Sequence, residues 1–371
     1  MPKRVGYLYE QVISPENCIA ATTEMTKNKN KSKKAMRIRE NADRYGRALA
    51  EELATGTWKP SPYKEHTVVD GIRKKERHIR VPCLHDQAAH HAVMRVTIPH
   101  IMRRNYYYNC GSIPGAGQTR ATKAMQKWMK RGYRYYAQFD VRHFYETCSH
   151  GVVMMALKRY FKDERFLALH QKILDSMGPG LAIGFYPAQW YGNIVLMYVD
   201  EQIKNVLMPD CKYVRYMDDM VLLHNNRRKL HKMRKALDSM LGGLGLKLNP
   251  KWRVGRITDH GITFLSYRFF KGYTLVKKPL MHRLVRKAKR AGVNTIPTNA
   301  KGVMSYMGIL KHCNSYNLRT ARIYPAVSIR RCKGVISNES RERNNAAVVQ
   351  GGNGWERHVC DFRGERDRDA C

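Results

Sequence analysis

Two adjacent carboxylates, Asp218 and Asp219, lie in Tyr216-Met217-Asp218-Asp219 between two short apolar runs, and a third, Asp140, closes an aromatic run well upstream. Carboxylates held on rigid elements suit one chemistry in particular. In-line attack on phosphorus builds charge on the attacking and leaving oxygens, and two Mg²⁺ ions roughly 3.5–4 Å apart, bridged by carboxylates, stabilise both. Taken alone, an Asp-Asp pair is also an ordinary occupant of a tight hairpin turn. The surrounding order favours the chemistry. Asp140 ends a strand that can reach the same sheet edge, and Tyr145 follows it. Between the two carboxylate sites, Gly184-Phe185-Tyr186-Pro187-Ala188-Gln189 supplies a loop and helix start suited to lining a nucleotide pocket.

The elements that must position these residues can be read from local pattern. Tyr133 to Val141 is aromatic and strand-like. Tyr213–Met217 and Met220–His224 are two short strands, with Asp218-Asp219 as the turn between them. Ser149 is an N-cap for a helix carrying Val152, Met155 and Tyr160, and Pro187 suits the first turn of a helix running through Ile203. Residues 1–60 read as helical and basic, with a Lys27, Lys29, Lys31, Lys33, Lys34 run. His66 to Val81 reads as a hairpin with an Asp70-Gly71 turn and a basic return (Arg73, Lys74, Lys75, Arg77, Arg80). A helix with Ala88, Ala92 and Val96 follows. Arg227–Leu241 is a basic helix, Ile262–Phe270 a strand, and 281–290 a strongly basic helix. From about Val335 apolar residues thin out, which predicts a mobile tail.

The 371 residues allow two or three subdomains around a shared core. With 68 Lys+Arg against 30 Asp+Glu, a formal charge of +38, the chain favours a polyanionic partner, because cationic contacts to phosphates release condensed counterions. The nine cysteines show no C-x-x-C pair or zinc spacing, and no apolar run approaches a membrane span. A reduced, soluble, cytoplasmic protein is the expectation.

Several segments resemble, in order, the motifs of reverse transcriptases. Phe139-Asp140-Val141-Arg142-His143-Phe144-Tyr145 is similar to their first catalytic motif, and Tyr216-Met217-Asp218-Asp219 to their Tyr-x-Asp-Asp box. Gly245-Leu246-Lys247-Leu248-Asn249-Pro250-Lys251 resembles the motif that follows, and Gly261-Ile262-Thr263-Phe264-Leu265-Ser266-Tyr267 the primer grip. Upstream, Ile79-Arg80-Val81-Pro82 and Gly111-Ser112-Ile113-Pro114-Gly115 resemble finger motifs. The likeness is colinear from about residue 66 to 330.

This resemblance implies an α/β (α+β) right-hand polymerase fold: a basic helical segment (1–60), fingers (61–132), palm (133–274), thumb (275–334) and a disordered tail (335–371). It implies RNA-directed DNA polymerase activity with Asp140, Asp218 and Asp219 as catalytic Mg²⁺ ligands for two ions, Mn²⁺ being a possible substitute. For the incoming dNTP it points to Lys75, Arg77, Val141, Tyr145, Gln189 and Lys251. Among these, Tyr145 falls where the family has its steric gate against a ribose 2′-OH. Lys251 is placed as a proton donor to pyrophosphate, although Trp252 stands where family members often have a second Lys or a Thr. Arg283, Arg286, Lys287, Lys289 and Arg290 would contact an RNA–DNA hybrid. The partners implied are an RNA template, a DNA or RNA primer and dNTPs, with no membrane.

Leu181-Ala182-Ile183-Gly184-Phe185-Tyr186-Pro187-Ala188-Gln189-Trp190 resembles the Ile-Gly-x-x-x-Ser-Gln segment of reverse transcriptases from diversity-generating retroelements, with Ala188 in place of the Ser. Residues 305–316 also look like the thumb of that group. That subtype implies error-prone copying of a template-repeat RNA, especially at adenines, a small basic accessory protein, and a bacterial or phage-infected cell. Group II intron-derived or defence-associated enzymes are the close alternative, and an inactive nucleic-acid-binding relative is the alternative from another class.

Overall fold

The computed structural model describes residues 3–70, 75–258 and 260–350, with backbone alone for Asp70, Lys75 and 343–350. The expected Asp70-Gly71 turn, with Arg73 and Lys74, lies outside the described residues. The chain divides into two compact units, Met1–Thr274 and Leu275–Cys371.

The first unit opens with four helices, α1 (Tyr9–Ile13), α2 (Pro15–Thr26), α3 (Lys33–Glu40) and α4 (Ala42–Ala54). Ser14 and Ser32 cap α2 and α3 through side-chain oxygens that satisfy free backbone N–H groups. The lysine run spans the connection into α3 and that helix's first two residues; Lys29 turns inward and donates to Gln87 Oε1 at 2.5 Å, so only part of the run is a solvated face. Strands β1 (Lys64–Asp70) and β2 (Lys75–Val81) pair antiparallel in the register Val68↔Arg77. Helices α5 (Leu84–Met102) and α6 (Gly117–Met129) follow, then strand β3 (Tyr135–Phe139).

Three helices come next: α7 (Phe144–Thr147), α8 (His150–Lys158) and α9 (Glu164–Asp175). Ser149 caps α8 as expected, accepting from Val152 N–H. Asp163 caps α9 and also accepts from Leu8 and Tyr9 N–H, which ties α1 to this helix. Helix α10 (Tyr186–Glu201) starts with Pro187 in its first turn and is buried along most of its length. Its continuation, Gln202–Leu207, is π-helical, so Ile203 lies in that turn rather than in the α-helix.

Strands β4 (Lys212–Tyr216) and β5 (Asp219–His224) lead into α11 (Arg227–Gly243) and β6 (Arg253–Arg256). Together they form one antiparallel sheet in the order β4-β5-β3-β6. Met220, Val221, Leu222 and Leu223 are wholly buried, and an apolar side chain removed from water contributes about 1.5–3 kcal/mol. The sheet is thereby anchored in the core, and its loop ends are left to carry polar residues.

Ile262–Phe270, expected as a single strand, is two: β7 (Ile262–Phe264) pairs with β8 (Tyr267–Phe269) across a Leu265-Ser266 turn, with Leu265 at φ 52°. Ile262, Phe264, Tyr267 and Phe269 are all buried. Alternation breaks between Phe264 and Tyr267, and the turn returns both strands to the same face.

The second unit, beyond the last strand, β9 (Thr274–Val276), is helical: α12 (Lys278–Val293), α13 (Pro297–Leu310), the short α14 (Tyr316–Leu318) and α15 (Ile329–Gln350). Its core gathers Leu284, Ala288, Ala291, Ala300, Val303 and Leu310. Here the expectation of a mobile, disordered tail over 335–371 is corrected for its first part, because 335–350 continue α15. Ile329, Cys332 and Ile336 recur at helical spacing and pack on the core, and Glu339 pairs with Lys301. Residues 351–371 lie outside the described residues. No helix among the described residues is long and apolar enough to cross a membrane.

Candidate active site

Register alone brings the carboxylates to one end of the sheet. β3 and β5 pair as far as Phe139↔Met220, so Asp140 and Asp219 each stand one step beyond that pair. β4 and β5 pair as far as Tyr216↔Asp219. The hairpin turn is therefore Met217-Asp218, with Asp219 already the first residue of β5, rather than the expected Asp218-Asp219. Met217 takes φ 56°, the left-handed region that a side chain enters at a cost of about 1–3 kcal/mol. Such a conformation persists only where its surroundings impose it. Arg215 Nη1 donates to Met217 O at 2.9 Å, and Gly111 lies so close that a Cβ there would stand 2.2 Å from Met217 N. Glycine at 111 is thus a packing requirement of the turn.

Asp218 is a strongly perturbed acid. Burial is the first cause and the neighbouring Asp140 carboxylate, with a hydrogen bond between the two groups, the second; together they push its carboxyl up to about 7. Two carboxylates this close repel when both are ionised, and a proton or a cation relieves the repulsion. A divalent ion fits this donor set on electrostatic grounds. Among the described residues, however, no three acidic, histidine or cysteine side chains are already gathered at ligand distances. Asp140 and Asp218 form a close pair rather than a full cage with Asp219. Mg²⁺ tolerates that arrangement, since it commonly uses one or two carboxylates plus water and substrate phosphates.

Asn249, which the sequence motif alone does not mark as functional, belongs to the site. Its Nδ2 donates to Asp140 Oδ2 at 2.8 Å, and its N–H donates to Asp140 O at 2.8 Å. The chain beside it pairs with the extension of β3: Val141 bridges Leu248, and Arg142 N–H donates to Lys247 O. A turn then intervenes before β6, with Lys251 N–H donating to Asn249 Oδ1 and Trp252 N–H to Asn249 O. Asn-Pro is a turn signal, and an Asx turn at 249 could have been anticipated from it. Lys251 is exposed on this turn. Trp252 is half-buried against α11, 5.1 Å beneath the Arg234 guanidinium and edge-on to His231, which gives this departure from the family pattern a packing role.

The remaining nucleotide candidates fall on several elements. Tyr145 lies half-buried on α7, its hydroxyl pushed above the ordinary range by burial and then by the charge of Asp218. Its carbonyl accepts from Leu181 N–H at 2.6 Å, and at Gly180 (φ 71°) a Cβ would stand 2.5 Å from that same oxygen. On its other side the 178–185 loop meets β2 where Arg80 N–H donates to Ile183 O, and Arg80 Nη1 also donates to Met177 O just before the loop. Gln189, half-buried, sits in the first turn of α10 behind this loop. Val141 is 1% exposed, its side chain in the core, so any contact it makes with a substrate is through backbone. Arg77 is exposed on β2, and the side chain of Lys75 lies outside the described residues.

In the second unit, α12 buries Leu280, Leu284, Ala288 and Ala291. Arg286, Lys287, Lys289 and Arg290 are exposed and Arg283 is half-buried. Lys287 lies across α13, its Nζ 6.0 Å from the Tyr306 ring centre.

An antiparallel sheet ending in an aspartate-bearing hairpin, with a neighbouring aspartate at the end of the adjacent strand, is an arrangement suited to holding a divalent cation against phosphate oxygens. The family described as reverse transcriptase (RNA-dependent DNA polymerase) matches residues 72–269, more than half of the chain, and the chain belongs to it. Its fold class is that of the right-hand polymerases, and the chemistry of the family is RNA-directed DNA synthesis. The chain is similar to Protein YkfC of Escherichia coli (strain K12), 22% identical over 301 residues that span 67% of this chain and 74% of that protein. Among solved structures it is similar to apo telomerase from Candida tropicalis, with a TM-score of 0.50 and 12% identity over 80% of this chain and 60% of that one. Telomerase from Candida albicans, solved with a TWJ fragment of telomeric RNA, gives a TM-score of 0.45 and 13% identity over the same shares. The chain therefore spans about 60% of the length of these telomerases.

Proposed function

We propose that this chain copies an RNA template into cDNA as the error-prone reverse transcriptase of a diversity-generating retroelement. The observation that supports the polymerase chemistry is the close Asp140–Asp218 pair beside the Met217-Asp218 turn. In this reading Asp140 and Asp218 hold divalent metal, Mg²⁺ or Mn²⁺, with Asp219 supporting. Bound there, two such ions would supply charge stabilisation to the attacking and leaving oxygens. Asn249 orients Asp140 by occupying one of its oxygens. Tyr145 excludes a ribose 2′-OH, and Gln189 lines the nucleotide pocket behind the 178–185 loop. Arg77, Lys75 and the Val141 backbone receive the triphosphate, and Lys251 donates a proton to pyrophosphate.

Residues 61–132 then serve as fingers, 133–274 as palm and 275–334 as thumb, with 1–60 as a basic N-terminal segment. Arg283, Arg286, Lys287, Lys289 and Arg290 contact the backbone of an A-form hybrid, which is read by shape. The partners are template RNA, primer, dNTPs and a small basic accessory protein, in the cytoplasm of a bacterial or phage-infected cell. The subtype rests on the likeness of residues 181–190 and 305–316; a group II intron-derived or defence-associated enzyme is the alternative.

Primer extension on a defined RNA, followed by sequencing of the cDNA, tests both levels. Substitutions concentrated opposite template adenines are expected, and an even, low error rate would return the chain to the alternative subtypes. Sugar selection is tested in the same assay. Tyr145→Ala is expected to raise rNTP use relative to dNTP roughly tenfold or more, because removal of the ring opens the space a 2′-OH needs. Unchanged discrimination would remove Tyr145 from the gate.

A further inference from the structure

Arg215 is an unusual residue for its place. It lies within the apolar strand β4 and is 0% exposed, so it can touch neither nucleic acid nor solvent. Alternation puts it on the same face of β4 as Tyr213, the face that meets α10. From α10, Asn193 and Asp200, two turns apart on one stripe, both reach it. Nε donates to Asp200 Oδ1 at 2.8 Å and Nη2 to Asp200 Oδ2 at 2.5 Å, a bidentate fork. Nη1 donates to Asn193 Oδ1 at 3.0 Å and to Met217 O at 2.9 Å. The partners are themselves held. Asp200 Oδ1 also accepts from Tyr213 OH at 2.7 Å, and Asn193 Nδ2 donates to Gly111 O at 2.9 Å.

A buried ion pair is a poor source of stability, since desolvation offsets most of its attraction and apolar replacement is often neutral. What this pair supplies is position. The guanidinium bridges the helix under the sheet to the carbonyl of the left-handed residue in the hairpin turn, and Gly111 closes the same network from the other side.

We infer that Arg215 is a positioning residue that, clamped on Asp200 and Asn193, fixes the Met217-Asp218 turn so that Asp218 meets Asp140 at the spacing a divalent cation needs. The inference rests on the metal-dependent reading of the site proposed above. It assigns a role in metal affinity to a side chain that touches no metal, substrate or template. Lysine cannot replace it, because an ammonium lacks the planar fork that serves two carboxylate oxygens, an amide and a carbonyl together.

Direct Mn²⁺ binding to the full chain, read by electron paramagnetic resonance, tests the idea without relying on turnover. Wild type, Asp218→Asn, Arg215→Lys and the double variant Asp200→Asn/Arg215→Met are compared, with thermal melting of each. The double variant leaves no unpaired buried charge and keeps an acceptor for Tyr213, so it is expected to fold even if Arg215→Lys does not. Loss of a partner behind a metal ligand typically weakens binding by about 10–100-fold, and a drop of at least about tenfold is expected in each Arg215 variant that folds. RNA–DNA hybrid affinity should stay within about twofold of wild type. Wild-type Mn²⁺ affinity in the double variant would overturn the role of Arg215 while leaving the metal site standing. Equal Mn²⁺ binding by wild type and Asp218→Asn would instead overturn the metal-dependent reading itself.

Discussion

Replacing Asp218 by asparagine is expected to lower primer extension by about a thousandfold or more while hybrid binding stays within about twofold. Asparagine keeps the size of the side chain and its place in the turn, and it removes only the charge that would balance a cation. Stabilisation of phosphoryl oxygens by metal is worth several kcal/mol, and each 1.36 kcal/mol is a factor of about ten in rate. Asp140→Asn should behave alike, since Asp140 is the other half of the close pair. Asp219→Asn is expected to cost less, because Asp219 begins β5 and stands outside the turn. Steady-state extension with a homopolymer RNA template and a DNA primer measures the loss. Activity of Asp218→Asn within tenfold of wild type would remove that carboxylate from the chemistry. Normal hybrid binding in the inactive variant separates lost catalysis from lost folding.

The same carboxylate should also work against stability when no metal is bound. In the folded chain burial and Asp140 keep Asp218 protonated up to about pH 7, against 3.8 as its ordinary value. Between those two values the folded state holds more protons than the unfolded state, so stability falls as pH rises through this window. Below it both states are protonated and the effect vanishes; above it the penalty is complete and constant. At pH 8 in a chelator, Asp218→Asn is therefore expected to be more stable than wild type by on the order of 4 kcal/mol, and at pH 4 nearly equal to it. Divalent metal should restore wild-type stability above pH 7 and leave Asp218→Asn little changed. Melting temperatures from pH 4 to 9, with and without Mg²⁺, decide the matter. Parallel pH profiles for the two proteins would show that Asp218 carries no such penalty.

Much of this site is legible in sequence because it is built from local features. Short apolar runs on either side of Asp218-Asp219 predict the hairpin, Pro187 marks the start of α10, and Ser149 caps α8. Some of what was misread was also local. The turn sits one residue earlier than expected because Tyr216 pairs with Asp219, and a break in alternation between Phe264 and Tyr267 announces the β7–β8 turn. The helix through 335–350 keeps a sparse apolar spacing at Ile329, Cys332 and Ile336 that composition hides. A charge inside β4 was a visible clue to a buried partner, because an arginine is rarely enclosed unless paired.

By itself the sequence determined the chemistry on offer: three aspartates in order, a basic chain suited to phosphates, and strands that end where the carboxylates stand. Only the tertiary structure decided how those carboxylates are held. Asn249 donates to Asp140 across 109 residues of chain, and Gly111 and Asn193 meet the Met217-Asp218 turn from separate elements. Arg215 depends on Asp200, two elements before it in the chain, to aim its guanidinium. Register and spacing are properties of neighbouring residues, which a sequence displays. The position of a metal ligand to a fraction of an ångström is set by side-chain contacts between distant segments, and these exist only once the core has packed.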